Sequence, residues 1–190
     1  MPCPFARLLY ALCLAIGLLP VAAQAFLVEE QFRIPVSVSN RFGRTFEREI
    51  VVTVFRDNAA SHAPYLILNH GRPGTPAERA AMGRARYDRI SPWFVQLGYA
   101  VIVPTRIGYG ITGGEDLEEG GACNSRDFRP GFLAAAAQSR QALDWLARFD
   151  WLDAGHGVAV GQSYGGATTL AIAAGDFPGL RAGFNFAGGN

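Results

Sequence analysis

Residues 157–175 read GVAVGQSYGGATTLAIAAG, and this stretch decides the fold. Its first five residues are apolar or small, as in a strand that is buried on both faces of a sheet. The residues from Gly165 onward are rich in alanine, which favours a helix. A buried strand that turns directly into a helix is the repeating unit of a parallel sheet, so we expect strands and helices to alternate along the chain.

The segments on either side have this alternation. Apolar runs predict buried strands at YLILNHG (65–71), AVIVPTR (100–106) and RAGFNFAGG (181–189). Helical patterns occupy about 77–97, as one or two helices, and 129–149. The strands should therefore be parallel, with helices on both faces of the sheet.

Two earlier segments alternate apolar and polar residues instead. FRIPVSV, which begins at Phe32, and FEREIVVTVFRD (46–57) flank the turn-forming sequence SNRFGRT. Alternation with a turn between the two segments predicts an antiparallel hairpin, which we place at a sheet edge. The predicted fold class is α/β: one domain over residues 26–190, with a mostly parallel sheet and an N-terminal antiparallel hairpin.

The turn between strand and helix contains Gly161, Gln162, Ser163, Tyr164 and Gly165. A G-x-S-x-G sequence in this context predicts a nucleophile elbow, a tight turn that exposes a reactive serine hydroxyl. The glycines, with Gly166, leave room for strand and helix to approach each other. The Tyr164 amide and the helix N-terminus would face negative charge that develops on a carbonyl oxygen. The alternative is a small-residue junction at which Ser163 only caps the helix.

A second stretch, LILNHGRPG, ends a buried strand with His70 and Gly71. Its loop falls at the carboxyl edge of the predicted sheet, where the serine turn also falls. A second amide is needed there to hold an oxyanion. We expect the amide of Gly71 or Arg72 to supply it, while His70 shapes the loop.

The segments NHGRPG, PTRIGYGITGG, GHGVAVGQSYGG and GFNFAGG, in this order and spacing, resemble the α/β-hydrolase superfamily. They are most similar to its dienelactone-hydrolase-like and prolyl-oligopeptidase-like serine hydrolases, over about residues 46–190. Dienelactone hydrolases proper carry cysteine as the nucleophile, whereas this chain carries Ser163, which favours esterase or peptidase activity. The resemblance implies an acyl-enzyme at Ser163 and no metal ion or cofactor.

The superfamily places the triad acid and histidine after the serine, but this sequence has no histidine beyond Ser163. His62 and His156 fall at the opposite edge of the predicted sheet, which leaves His70 as an unusual alternative base. Asp176, the only later carboxylate, lies about 20 Å along a helix from the serine. We therefore expect an N-terminal fragment, or a frameshift or premature-stop product, that is inactive because acid and base are missing.

The first 25 residues predict export. Arg7 precedes an apolar run over 8–19, and the small residues Ala23 and Ala25 fit a signal peptide that is cleaved after Ala25. The run is too short to span a bilayer, so no stable membrane anchor is expected. The predicted location is periplasmic or secreted.

Composition limits the partners of the chain. All 17 basic residues are arginine, which excludes a Ser-Lys dyad and a P-loop lysine. Removal of the signal peptide balances the charges, so we expect a small-molecule or peptide substrate and no nucleic acid. The acidic run within the loop 107–127 is most simply a solvated face. Cys123 would be the only cysteine left, either a buried thiol or half of a disulfide with a partner outside this sequence.

Two functions follow from these patterns. The first is an exported serine hydrolase that acts on an ester, lactone or peptide-type carbonyl. The alternative is a non-catalytic exported α/β domain that binds a small ligand or a protein partner. Acyl transfer to an alcohol would use the same residues as hydrolysis.

Overall fold

A computed structural model describes residues 26–122 and 124–189. Over these residues it contains a six-stranded sheet in the order β1-β2-β4-β3-β5-β6. The strands are β1 (Leu27–Ser39), β2 (Thr45–Asp57), β3 (Ala63–Asn69), β4 (Ala100–Thr105), β5 (Leu152–Gln162) and β6 (Leu180–Phe186). β2 pairs antiparallel with β1 on one side and with β4 on the other. β3 pairs in parallel with β4 and β5, and β5 pairs in parallel with β6. The predicted fold class, including the hairpin, is confirmed.

Helices cover both faces of the sheet. They are α1 (Pro76–Ala81), α2 (Ser91–Gln96), α3 (Arg129–Leu146) and α4 (Tyr164–Ala174). α3 and α4 pack on one face, where Leu143, Leu146 and Ile172 join the larger apolar core. α2 packs against β2 and β4 on the other face, where Val95 belongs to a second core. In the part of the chain that the structure describes, no helix is long and apolar enough to cross a bilayer.

The strands differ from their predicted limits in ways that pairing explains. β1 begins at Leu27, well before Phe32, because it pairs with β2 along its whole length. Its charged first half is stabilised by cross-strand contacts, including an ion pair between Arg56 and Glu30 at 2.7 Å. The predicted helical region 77–97 forms two short helices, because Gly83 and Tyr87 between them adopt positive φ.

The parallel strands bring four loops to one edge of the sheet. β3, β4, β5 and β6 all run in the same direction, so the segments after Asn69, Thr105, Gln162 and Phe186 leave at that edge. We call it the carboxyl edge. The predicted signal peptide (1–25) and Cys123 lie outside the described residues.

Candidate active site

Ser163 lies at the turn between β5 and α4, with its side chain exposed at the carboxyl edge. Its backbone has φ 55° and ψ −126°, a region that non-glycine residues rarely adopt. The side chain makes no capping hydrogen bond to α4. The backbone amide donates to the Phe186 carbonyl at 2.8 Å, so β6 holds the turn in place. The side chain of Ser163 thus does not cap the helix and is left free.

The glycines of the turn are required by close backbone approaches. A Cβ atom at Gly161 would collide with the carbonyl of Gly165 one turn further on. A Cβ atom at Gly165 would collide with the carbonyls of Asn69 and His70 at the end of β3. The motif therefore packs α4 directly against β3 and β5, and Gly166 similarly approaches the turn after β6.

The loop after β3 lies beside the serine. A methyl group at Gly71 would stand 3.5 Å from Ser163 Cβ and 3.4 Å from the Gln162 carbonyl oxygen. The Tyr164 amide begins α4, so it has no acceptor within the helix. The structure therefore brings together Ser163, Tyr164 and the predicted loop of His70, Gly71 and Arg72.

These residues border an open cleft of about 420 Å³. The lining includes Ser163, Gln162 and the residues 70–73. It also includes four residues of the segment between α1 and α2, namely Met82, Ala85, Arg86 and Tyr87. A small carbonyl compound can reach Ser163 from this cleft.

His70 is buried, and both of its ring nitrogens are occupied. Nδ1 is 2.7 Å from the Gly71 carbonyl oxygen, so it carries the hydrogen and donates. Nε2 accepts from the Arg106 amide at 3.3 Å. Burial, together with the positive charge of Arg106, lowers the pKa of His70 well below its usual value. His70 is therefore a neutral structural residue in this geometry, and neither ring nitrogen is free to act as a base for Ser163.

The other two histidines lie away from the serine. His62 directly precedes β3, at the opposite end of that strand from His70. His156 lies in the first half of β5, where its Nδ1 is 2.7 Å from Asp153 Oδ2. Asp176 follows α4 and is exposed. None of the three is at the carboxyl edge with Ser163.

The expectation that the acidic run within the loop 107–127 is a solvated face is wrong for two of its residues. Glu118 is buried, with 1% of its surface exposed, and Arg106 contacts it through Nε and Nη2. Asp116 is half-buried and accepts two hydrogen bonds from Arg72, at 2.7 and 2.6 Å. Although burial alone would raise the pKa of Asp116, the contact with Arg72 holds it below the usual value. Glu115 and Glu119 are exposed, as expected.

Tyr109 and Tyr164 lie between these charged groups. The Tyr109 hydroxyl donates to Glu118 and accepts from Arg72 Nη1 at 3.2 Å. The guanidinium groups of Arg72 and Arg106 each lie 5.9 Å from the centre of the Tyr164 ring. Burial raises the pKa of Tyr164, and its hydroxyl has no hydrogen-bond partner among the described residues. Tyr164 therefore contributes a buried side chain as well as its amide.

A cluster of buried polar side chains contacts the ends of β3 and β4, from which two of the loops at the carboxyl edge begin. The Asn69 side chain accepts from Ser139 of α3 at 2.9 Å and donates to Thr169 of α4 at 3.3 Å. Gln138 accepts from the amide of Ile107, just after β4, at 2.8 Å. These contacts connect the ends of β3 and β4 to the helices beneath them.

Sequence reasoning missed Arg106, Tyr109, Asp116 and Glu118. The segment PTRIGYGITGG contributed to the family resemblance, but nothing in it assigns a role to its arginine or tyrosine. The unusual length of the loop 107–127 was the one available signal.

Comparison with solved structures identifies the fold. An aminopeptidase from the archaeon Thaumarchaeota archaeon has a TM-score of 0.54 at 19% identity, over 90% of this chain. A dienelactone hydrolase-like promiscuous phosphotriesterase from metagenomic libraries gives 0.52 at 18%, over 86%. An acetyl xylan esterase from Paenibacillus sp. R4 gives 0.51 at 19%, over 93%. The chain has the α/β-hydrolase fold.

The match covers only part of each of these proteins. This chain spans 27% of the aminopeptidase, 60% of the phosphotriesterase and 58% of the esterase. No protein-family model matches the sequence, and no curated protein matches it. The identities are low, so the similarity concerns the fold and not the reaction.

Proposed function

We propose that this protein is a serine hydrolase that acts on an ester, lactone or peptide-type carbonyl through an acyl-enzyme at Ser163. The observation that carries the proposal is the strained, exposed position of Ser163 between β5 and α4. Such backbone strain persists only where the surrounding structure enforces it, and it is concentrated at functional sites.

In the proposed reaction, Ser163 Oγ adds to the carbonyl carbon while a base removes the hydroxyl proton. The Tyr164 amide and the amide of Gly71 or Arg72 donate hydrogen bonds to the oxyanion. The alcohol or amine then leaves with a proton, and water releases the acyl group as an acid. An alcohol in place of water would make the same site an acyltransferase.

The base and the acid are the parts of the triad that these residues do not supply. The sequence has three histidines, at 62, 70 and 156, and none of them is available to Ser163. A general base contributes typically about 10²- to 10⁴-fold to the rate. We therefore expect Ser163 of this chain to react slowly, assisted by the oxyanion donors alone.

The lack of a histidine that is available to Ser163 favours a second function, a non-catalytic α/β domain that binds a small ligand or a partner protein. The cleft would then hold its ligand without covalent chemistry, and the glycine-rich turn would serve packing alone. The two functions differ in whether Ser163 reacts.

Covalent labelling with a fluorophosphonate probe tests the proposal. We expect slow, stoichiometric labelling that is lost in Ser163→Ala and retained in Ser61→Ala, which removes an exposed serine before β3. Peptide mapping should locate the label on Ser163. Equal labelling of the wild type and Ser163→Ala, or no labelling after prolonged incubation, would support the binding domain instead.

Export from the cytoplasm is a separate part of the proposal. It rests on the signal-peptide pattern of residues 1–25 and predicts a mature protein that begins at Phe26. Cell fractionation with N-terminal sequencing tests it. A chain that stays in the cytoplasm with residue 1 in place would contradict export and leave the chemistry of Ser163 untouched.

A further inference from the structure

The loop after β4 turns two carboxylates inward, towards the loop that carries the proposed oxyanion donors. Glu118 and Arg106 are almost fully buried, with 1% of the surface of each exposed. A buried ion pair rarely adds net stability over well-packed apolar residues, because both charges lose their hydration. A gain in stability therefore does not explain the buried Glu118–Arg106 ion pair.

Arg106 connects this ion pair to the loop after β3. Its Nη1 donates to the His70 carbonyl at 2.9 Å, and its backbone amide donates to His70 Nε2 at 3.3 Å. The guanidinium is in turn held by Glu118, which also accepts from the Tyr109 hydroxyl. The Tyr109 ring packs edge-on against the His70 ring, at 4.6 Å between centres. His70 is thus fixed through its carbonyl, its Nε2 atom and its ring face.

Arg72 is fixed from the same side. Asp116 accepts from both of its terminal nitrogens, and the Tyr109 hydroxyl accepts from one of them. Arg79 of α1 also contacts Asp116, at 2.9 Å. Gly71, between His70 and Arg72, has no side chain to fix its own position. The position of its amide relative to Ser163 is therefore set by its two neighbours.

We propose that Glu118, acting through Arg106 and Tyr109, is a positioning residue that holds the His70–Arg72 loop at the distance from Ser163 that oxyanion binding requires. This inference rests on the proposed function, because it gives the loop its catalytic purpose. Oxyanion stabilisation depends steeply on geometry, and a misplacement of 1 Å in an active site can cost about 10²-fold in rate. Burial makes the contacts among Glu118, Arg106 and Tyr109 rigid, because water does not reach these three side chains to replace a partner.

Two variants of different severity test the proposal. Tyr109→Phe keeps the ring against His70 and removes only the hydroxyl that joins Glu118 to Arg72. Glu118→Gln removes the charge that holds Arg106. The matched control is Tyr65→Phe, because Tyr65 is equally buried and donates to the Pro178 carbonyl at 2.6 Å, remote from the loop.

The first readout is the rate at which the fluorophosphonate labels Ser163 in the purified full chain. We expect the maximal rate to fall about tenfold in Tyr109→Phe and up to about 10²-fold in Glu118→Gln. The half-saturating probe concentration and the fraction finally labelled should not change. Tyr65→Phe should label at the wild-type rate. A general loss of stability in any variant would lower the labelled fraction and leave the rate unchanged.

The second readout needs no activity. Nitrogen-15 NMR of the imidazole groups should show His70 of the wild type as a single neutral form with its hydrogen on Nδ1. This signature should be lost in Glu118→Gln, weakened in Tyr109→Phe and kept in Tyr65→Phe. If Glu118→Gln does not fold, Tyr109→Phe decides the question.

The outcomes separate the positioning role of Glu118 from the proposed hydrolase function. Folded Tyr109→Phe and Glu118→Gln proteins with the wild-type labelling rate and His70 signature would overturn the positioning role. An equal loss of rate in Tyr65→Phe would also overturn it. No labelling of the wild-type serine would remove the proposed function, and the His70 spectra would still decide whether Glu118 holds the loop.

Discussion

At the scale of single residues, we expect His70 to make the stability of the protein depend on pH. Its pKa is lowered in the folded state, by burial first and by Arg106 second, from a usual value of 6.5. Below about pH 6.5 the unfolded chain binds a proton that folded His70 does not, so stability falls as the pH falls and is complete above that value. We expect a loss of up to about 1.4 kcal/mol per pH unit between pH 6.5 and 5, measured by urea unfolding.

One variant assigns this effect to its source. His70→Gln should flatten the dependence in this range, because glutamine does not titrate. The same slope in His70→Gln as in the wild type would rule out His70 as the titrating group.

How far single residues could be predicted depends on the distance to their partners in sequence. The exposed position of Ser163 at a tight turn was predictable, because the glycines that enclose it lie within the same five-residue motif. Glu118 and Asp116 were not, because a carboxylate in a glycine-rich loop is read as solvated unless its cation is known. Arg72, the partner of Asp116, belongs to the loop after a different strand.

At the scale of elements, the junction of α4 with β3 and β5 depends on the absence of a side chain at Gly165. Alanine there would gain about 1 kcal/mol in helix propensity, but its methyl group would overlap the carbonyls of Asn69 and His70. Overpacking costs typically about 1–3 kcal/mol, so the overlap outweighs the gain. We expect Gly165→Ala to lower the free energy of unfolding, measured by chemical denaturation.

Gly175, at the other end of α4, provides the matched control. A methyl group there would meet its nearest neighbour at 3.4 Å, an ordinary contact, and its φ of −99° suits alanine. Gly175→Ala should therefore be neutral or slightly stabilising. If Gly165→Ala were equally well tolerated, the close approach of α4 to β3 would not hold.

The ends of a strand were predictable where the whole strand is apolar, and less so where it carries exposed charged residues. β4 is buried along its whole length, and its prediction at 100–106 differs from the observed strand by one residue. The first half of β1 has exposed charged residues that no apolar pattern marks. Its pairing with β2 extends it, and pairing across a sheet is not encoded locally.

At the scale of the whole molecule, one face of β6 is covered by no helix among the residues that the structure describes. Gly183 and Asn185 face α4, so Phe184 and Phe186 point to the other side of the strand, where they are 50% and 58% exposed. α2 covers β2 and β4 on that side. Apolar side chains on an edge strand promote association between chains. We expect residues 26–190 to self-associate in sedimentation experiments, and Phe184→Lys with Phe186→Lys to reduce this.

Phe42→Lys is the control for that experiment. Phe42 is 77% exposed, but it lies alone at the hairpin turn between β1 and β2. Its replacement should leave the sedimentation unchanged. Association that persists in the β6 variant and disappears in Phe42→Lys would move the contact surface to the hairpin.

The order of the strands also sets the order in which the sheet can be assembled. β1 and β2 are joined by a short turn, and such a hairpin closes within about 1–10 μs. β3, at the centre, must wait for β4 on one side and for the much later β5 on the other. Long-range parallel pairing of this kind is slow, because a long loop must close, at a cost in chain entropy, before the strand contacts that offset this cost can form. We therefore expect the sheet to be built from its antiparallel edge inward, with β3, one of its two central strands, among the last to find both neighbours.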